Sequence, residues 1–169
     1  MNDVLKNIVK LLRYPKNNSI PECYIGTYQQ ILQYYKSQTT KNKYPFIWFR
    51  EPVKIDPNLL TGNLQTIDLG YDDFNYKLFI FDVIDPSQTN EFIENTVISN
   101  IYKLFRNLVT NILVTPKVMD CSYANLVKHI RFGKTDSEKG YIGYSFPDCL
   151  AGYEVDLKLT YFNTPLRSC

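Results

Sequence analysis

Between Tyr76 and Leu113 the chain joins a strand that is apolar on both parities to its longest periodic helix, and any fold has to house both. From Tyr76 to Ile84, Leu78 and Ile80 fill one parity while Phe79, Phe81 and Val83 fill the other, so this is a central strand covered on both faces. Asp85-Pro86 then reads as an N-cap followed by proline at the first helical position, with Gln88 placed for a capping box. Ile93, Val97, Ile101, Leu104, Phe105, Leu108 and Ile112 follow at spacings of three and four. That is one apolar stripe, with Glu94, Lys103, Arg106 and Asn107 elsewhere on the wheel. A helix of this kind has to lie on a sheet, and the rest of the chain supplies it.

Before that core, Asn2 or Asp3 caps a helix with Val4, Ile8, Leu11 and Leu12 on one face, stopped at Tyr14-Pro15. A second helix is expected from Ser19 to Gln38, striped by Tyr24, Tyr28, Ile31, Leu32 and Tyr35, with Gly26 its one weak residue. Pro45 to Arg50 reads as a short strand around the single tryptophan, Trp48. Pro52 and Pro57 make Glu51 to Gly62 an irregular loop; Leu64 to Leu69 alternates, and Gly70 to Asn75 turns it into the central strand.

After the long helix, Leu113 to Met119 reads as a strand interrupted at Pro116. Asn125 to Phe132 alternates, with Leu126, Ile130 and Phe132 on one face and Val127, His129 and Arg131 on the other. Gly133 to Gly140 is a polar hairpin tip, and Tyr153, Val155, Leu157, Leu159 and Tyr161 mark a final strand with one wet face. The expected class is α+β: a mainly antiparallel sheet packed by a long central helix and N-terminal helices, in one domain spanning residues 1–169, with loops protruding at 51–63 and 133–147.

A chain of 169 residues buries a core without disulfides or metal. Its 14 tyrosines suit half-wet contact surfaces, although an AT-rich genome would enrich them as well. A net charge of +2 and a pI of about 8.2, with no basic run beyond Lys41 and Lys43, argue against a protein that grips duplex through many phosphates. No apolar run approaches the roughly 20 residues of a membrane span, and Met1 to Arg13 is amphipathic instead of signal-like, so a soluble chain made in the cytoplasm is expected. Cys23, Cys121, Cys149 and Cys169 form no CxxC pair and read as reduced thiols; no cofactor is expected.

The sole histidine, His129, sits among basic neighbours, Lys128 and Arg131, where an enzyme base would need a carboxylate to orient it. Gly133-Lys134-Thr135 lacks the remainder of a phosphate-binding loop. Pro147-Asp148 followed by Asp156-Leu157-Lys158 matches the PD…(D/E)xK pattern of magnesium-dependent nucleases, in which two carboxylates hold the metal and the lysine positions water. On one continuous strand Asp148 and Asp156 would stand roughly 26 Å apart at about 3.3 Å per residue, so a shared metal requires a tight hairpin at Ala151-Gly152. A nuclease using Asp148, Asp156 and Lys158 is therefore the alternative reading.

The run Asp148-Cys149-Leu150-Ala151-Gly152-Tyr153, leading into Glu154 to Leu159, resembles the end of small tailed-bacteriophage connector proteins of the head-to-tail joining and tail-terminator type, in which D-x-x-A-G-W/Y opens a last alternating strand. The order of elements is similar as well: N-terminal helices, an F-I-W-F-like strand at Phe46 to Phe49, a hairpin ending in Phe79 to Val83, a long helix with Asn100 and Leu104 in its middle, and closing strands. The chain is longer than the compact terminators, its second helix and the loop Glu51 to Asn63 being additions. The tyrosine-heavy composition resembles that of phages of Bacteroides-type hosts.

The resemblance implies a non-enzymatic virion protein that forms a sixfold or twelvefold ring in the neck or tail. Its partners would be further copies of itself and the portal, an adjacent ring or the tail tube, with passing DNA met only non-specifically. Tyr141, Tyr144, Lys134, Lys139, Trp48 and Arg50 are the expected contact residues.

Overall fold

The computed structural model describes residues 1–37, 44–51, 71–133 and 148–162. Its elements are α1 (Asn2–Leu11), β1 (Glu22–Gly26), α2 (Tyr28–Ser37), β2 (Phe46–Arg50), β3 (Tyr71–Val83), α3 (Asn90–Ile93), a π-helical turn (Glu94–Ile98), α4 (Ser99–Leu113), β4 (Val118–Gly133) and β5 (Cys149–Phe162). The strands form one sheet in the order β1-β2-β3-β5-β4, antiparallel at every pair except β1 with β2. The chain is α+β, and β3 is the middle strand.

The two parities of β3 explain its place. Tyr76, Leu78 and Ile80 enter the larger core with Ile47 and Phe49 of β2 and with Val155, Leu157 and Leu159 of β5. Helices α1 and α4 cover that core: the stripe Ile93, Val97, Ile101, Leu104, Phe105, Leu108 and Ile112 is buried throughout. Phe79 and Phe81 face the other way, into a second core with Phe46, Trp48, Phe132, Leu150 and Ile31 of α2. Full burial of a side chain of this size contributes about 1.5–3 kcal/mol. The two clusters are what a strand apolar on both parities demands.

Several expectations are corrected. Leu5, Ile8 and Val9 of α1 and Leu12 just after it are buried, whereas Leu11 is exposed, so Ile8 and Leu12 stand as expected and Leu5 and Val9 complete the contact stripe. The expected helix from Ser19 is a strand and then a helix: Glu22–Gly26 pairs with β2, and α2 begins only after Thr27. There Thr27 and Gln30 form a reciprocal capping pair, the Gln30 Oε1 accepting from the Thr27 amide at 2.9 Å.

The residues Tyr71 to Asn75 belong to β3 and not to a turn. Asp85 and Gln88 do bond reciprocally, but they close a turn; the helix is capped by Thr89, whose side chain accepts from the Phe92 amide at 3.2 Å. A π-helical turn then breaks the regular winding of the long helix. Residues 113–117 form no strand, and Lys117, at φ 74°, turns the chain into β4. The expected strand Leu64 to Leu69 and both protruding loops, apart from Glu51 and Gly133 at their edges, lie outside the described residues.

Candidate functional site: the polar half of the open sheet face

Among the described residues helix α2 covers only one end of the second face of the sheet, and beyond it the sequence turns polar on all three long strands. The register sets the residues in rows. Trp48, Phe79, Glu154 and Val127 share one row; Arg50, Lys77, Asp156 and Ala124 the next; Asn75, Lys158 and Ser122 follow, and then Asp73, Thr160 and Asp120. The change from aromatic to charged happens at Glu154.

Glu154 holds the two halves together. Its carboxylate accepts from the Lys77 ammonium at 2.7 Å and lies 3.2 Å from the His129 Nε2, which has to carry a proton to bond a carboxylate. The His129 contact first, and Lys77 with it, hold this carboxyl at about 2, well below the usual glutamate range. The imidazole itself lies against Phe81 and Phe132, ring centres 6.1 and 5.0 Å away. Further down the face Lys158 pairs with Asp73 at 3.0 Å, and Thr160 donates to the same carboxylate at 2.7 Å; these bonds keep Asp73 below its ordinary range. Asp156 accepts from Asn125 at 2.7 Å and lies 3.7 Å from Lys77. Arg50, Lys77, Asp156, Lys158, Ser122 and Tyr123 are among the residues lining an open groove of about 530 Å³.

The conformation of β4 makes this arrangement possible. Its register against β5 slips by one residue between Val118 and Asp120, between Ala124 and Val127, and between His129 and Phe132. Each extra residue reverses the parity that follows. At the second slip Asn125 adopts φ 52°, a left-handed conformation that asparagine accepts more readily than most residues. His129 and Phe132, expected on opposite faces, therefore share the second face, while Ile130 packs into the helix-covered core. Lys128 pairs with Glu94 of the π-helical turn, and Arg131 donates to the Pro86 carbonyl at 3.1 Å and the Asn90 side chain at 3.0 Å. The basic neighbours thus point away from His129, and the orienting carboxylate that its local sequence lacks comes from β5.

No protein-family model and no curated protein matches the chain.

The expected site residues fall into three groups. Tyr141, Tyr144, Lys134 and Lys139 lie outside the described residues. Arg50 stands half-buried on the polar half-face. Trp48 is a correction: it is fully buried, stacked on Phe79 at 4.6 Å, and its Nε1 donates to the Gly26 carbonyl at 2.9 Å, so it organises the core and offers no contact surface.

The nuclease arrangement fails on geometry. Ala151 and Gly152 run straight through β5, paired with Asp82 and Phe81 on one side, so no hairpin brings Asp148 toward Asp156. Asp148 accepts instead from the Tyr44 hydroxyl at 2.6 Å, and Lys158 is paired with Asp73. Cys23 and Cys121 are free thiols; burial pushes Cys23 up to about 12 and Cys121 up to about 11, away from the reactive thiolate form. No helix among the described residues is long and apolar enough to cross a membrane.

Sequence reasoning missed the outer edge of the sheet. Strand β4 is 16 residues long and, among the described residues, has a neighbour on one side only. Met119 (57% exposed), Tyr123 (50%), Leu126 (38%) and Val127 (43%) stand along it, more apolar surface than an edge strand usually leaves in water. Tyr102 and Tyr153, ring centres 5.9 Å apart, extend this surface toward α4, and Tyr123 meets Phe105 edge-on at 5.1 Å.

Proposed function

We propose that this chain is a structural subunit of a tailed-bacteriophage virion, one of several identical copies that close into a ring in the neck or tail connector around the passage taken by DNA. The observation that carries the reading is β4, a long edge strand with exposed apolar and tyrosine side chains along its length. Surface of this composition is typical of the buried centre of protein interfaces. A ring subunit needs such surface, and it needs two different patches that meet head to tail and close by rotation.

The connector-like stretch Asp148 to Tyr153 supports the same reading by its resemblance, and its glycine has a packing role within the sheet. A side chain at Gly152 would stand 1.9 Å from the Ile80 carbonyl oxygen, so only glycine lets β5 approach β3 there. The polar half-face is suited to contact, since Asp73, Glu154 and Asp156 each already hold internal partners. In this reading the ring is sixfold or twelvefold, its neighbours are the portal, an adjacent ring or the tail tube, it meets DNA non-specifically, and it uses no cofactor. It is made in the host cytoplasm and ends in the virion.

Electron microscopy of the purified protein, alone and mixed with its portal, tests the reading. Closed rings with a central opening support it. A protein that stays monomeric in both preparations overturns it.

A further inference from the structure

The two outer strands of the sheet match in a way the ring reading does not require. The three register slips divide β4 into short regular runs, of which the longest is Asp120 to Ala124, paired without interruption to Thr160, Leu159, Lys158, Leu157 and Asp156. Among the described residues the opposite edge of the sheet is β1, Glu22–Gly26, a strand of five residues. Bulges beside a regular run limit the partners that can pair with it, because a longer strand loses register at either end.

We infer that copies of this chain join head to tail through these edges, β1 of one copy pairing antiparallel with the Asp120–Ala124 run of β4 in the next to extend the sheet across the interface. The inference rests on the ring reading and specifies its subunit contact. The occupant is a second copy because this sheet itself carries both edges, with equal runs and matching faces. On the helix-covered side β1 presents Cys23 and Ile25, both packed against the larger core, and β4 presents Cys121 on the same side, with Tyr123 beside Phe105.

Charge decides the direction. A parallel pairing would set Glu22 beside Asp120, and like charges directly opposite are destabilising. The antiparallel pairing sets Gly26 beside Asp120 and Glu22 beside Ala124, in the row that carries Arg50 and Lys77, so no like charges stand directly opposite. Ile25 then faces Cys121, and Cys23 faces Tyr123. Because each copy uses one edge and offers the other, the contact is heterologous and closes into a ring when the rotation allows.

The pairing places Cys23 of one copy directly opposite Tyr123 of the next, at the Cα separation of cross-strand pairs, which a disulfide spans. Copper phenanthroline oxidation of Tyr123→Cys at alkaline pH should therefore give a ladder of disulfide-linked oligomers, and adding Cys23→Ser should abolish it. Ile25→Cys, facing native Cys121, serves as the second variant should the first fold poorly. Links through Cys23 in the first variant or Cys121 in the second support the pairing. A link joining two introduced thiols would mean that β4 pairs with itself in the first variant, or β1 with itself in the second, and either overturns the inference. Rings by native mass without either link also overturn the inference but leave the ring reading standing, whereas monomers at every concentration, both alone and with the portal, overturn both.

Discussion

His129, paired with Gly152, reaches diagonally to Glu154 on β5 at 3.2 Å, where the sheet face changes from aromatic to charged. Lys77 completes the cluster from β3 at 2.7 Å, so three strands are tied through one carboxylate.

That carboxylate gives the fold an acid limit. Glu154 is held at about 2 in the folded chain against an ordinary 4.5, so the unfolded chain takes up its proton first as pH falls. Its contribution is complete above about pH 4.5 and is lost between there and about 2. Glu154→Gln should flatten the pH dependence of stability in that window and cost about 1–2 kcal/mol at neutral pH, read by urea denaturation at a series of pH values. An unchanged acid slope in the variant would show that the cluster does not act in this way.

Gly152→Ala should destabilise by upward of about 3 kcal/mol, an overpacking penalty that cannot relax easily because the new Cβ would meet the Ile80 carbonyl oxygen at 1.9 Å and Phe81 Cδ1 at 2.8 Å. Guanidinium unfolding midpoints measure it, and a loss below about 1 kcal/mol would contradict the close approach of β5 to β3.

Trp48 is the single tryptophan and is fully buried, so native emission should be blue-shifted and shift red on unfolding. Trp48→Phe removes the donor to the Gly26 carbonyl and leaves a void beside Phe79, for an expected cost of about 2–4 kcal/mol. Emission typical of an exposed indole in the native protein would rule out this packing.

Tyr14→Phe tests the one buried carboxylate among the described residues. The Tyr14 hydroxyl donates to Asp82 at 2.8 Å beneath α1, where burial and the carboxylate raise the phenol far above its ordinary range. Removing the donor from a buried carboxylate should cost about 1.5–3 kcal/mol. Lys16, 3.6 Å from the same oxygen, sets the lower end of that range by compensating in part.

What was legible in the sequence is what burial writes into periodicity. The two-sided strand from Tyr76 to Phe81, the stripe from Ile93 to Ile112 and the alternation from Tyr153 to Leu159 occupy the places expected of them, whereas Val83, expected under cover with Phe79 and Phe81, is exposed. Strand β1 was hidden because Tyr24, Tyr28, Ile31 and Leu32 fall at helical spacing by coincidence across its end; the Thr27 and Gln30 capping pair was the signal for the true helix start. The slips in β4 carry little local signal beyond Asn125, and they decide which side chains share a face. The His129–Glu154 pair therefore depends on a register that only the folded sheet fixes. The charged ladder was read as a wet strand face, correctly for Asp156 and Lys158, while the partners across it came from strands far away in sequence.

The measurement that tests the central claim most directly is the native mass of the purified protein over a wide range of concentration. The account expects a discrete sixfold or twelvefold species, populated increasingly as concentration rises and dispersed by charged substitutions at Tyr123 and Leu126 that leave the monomer folded. A monomer at every concentration, both alone and with the portal, would contradict it.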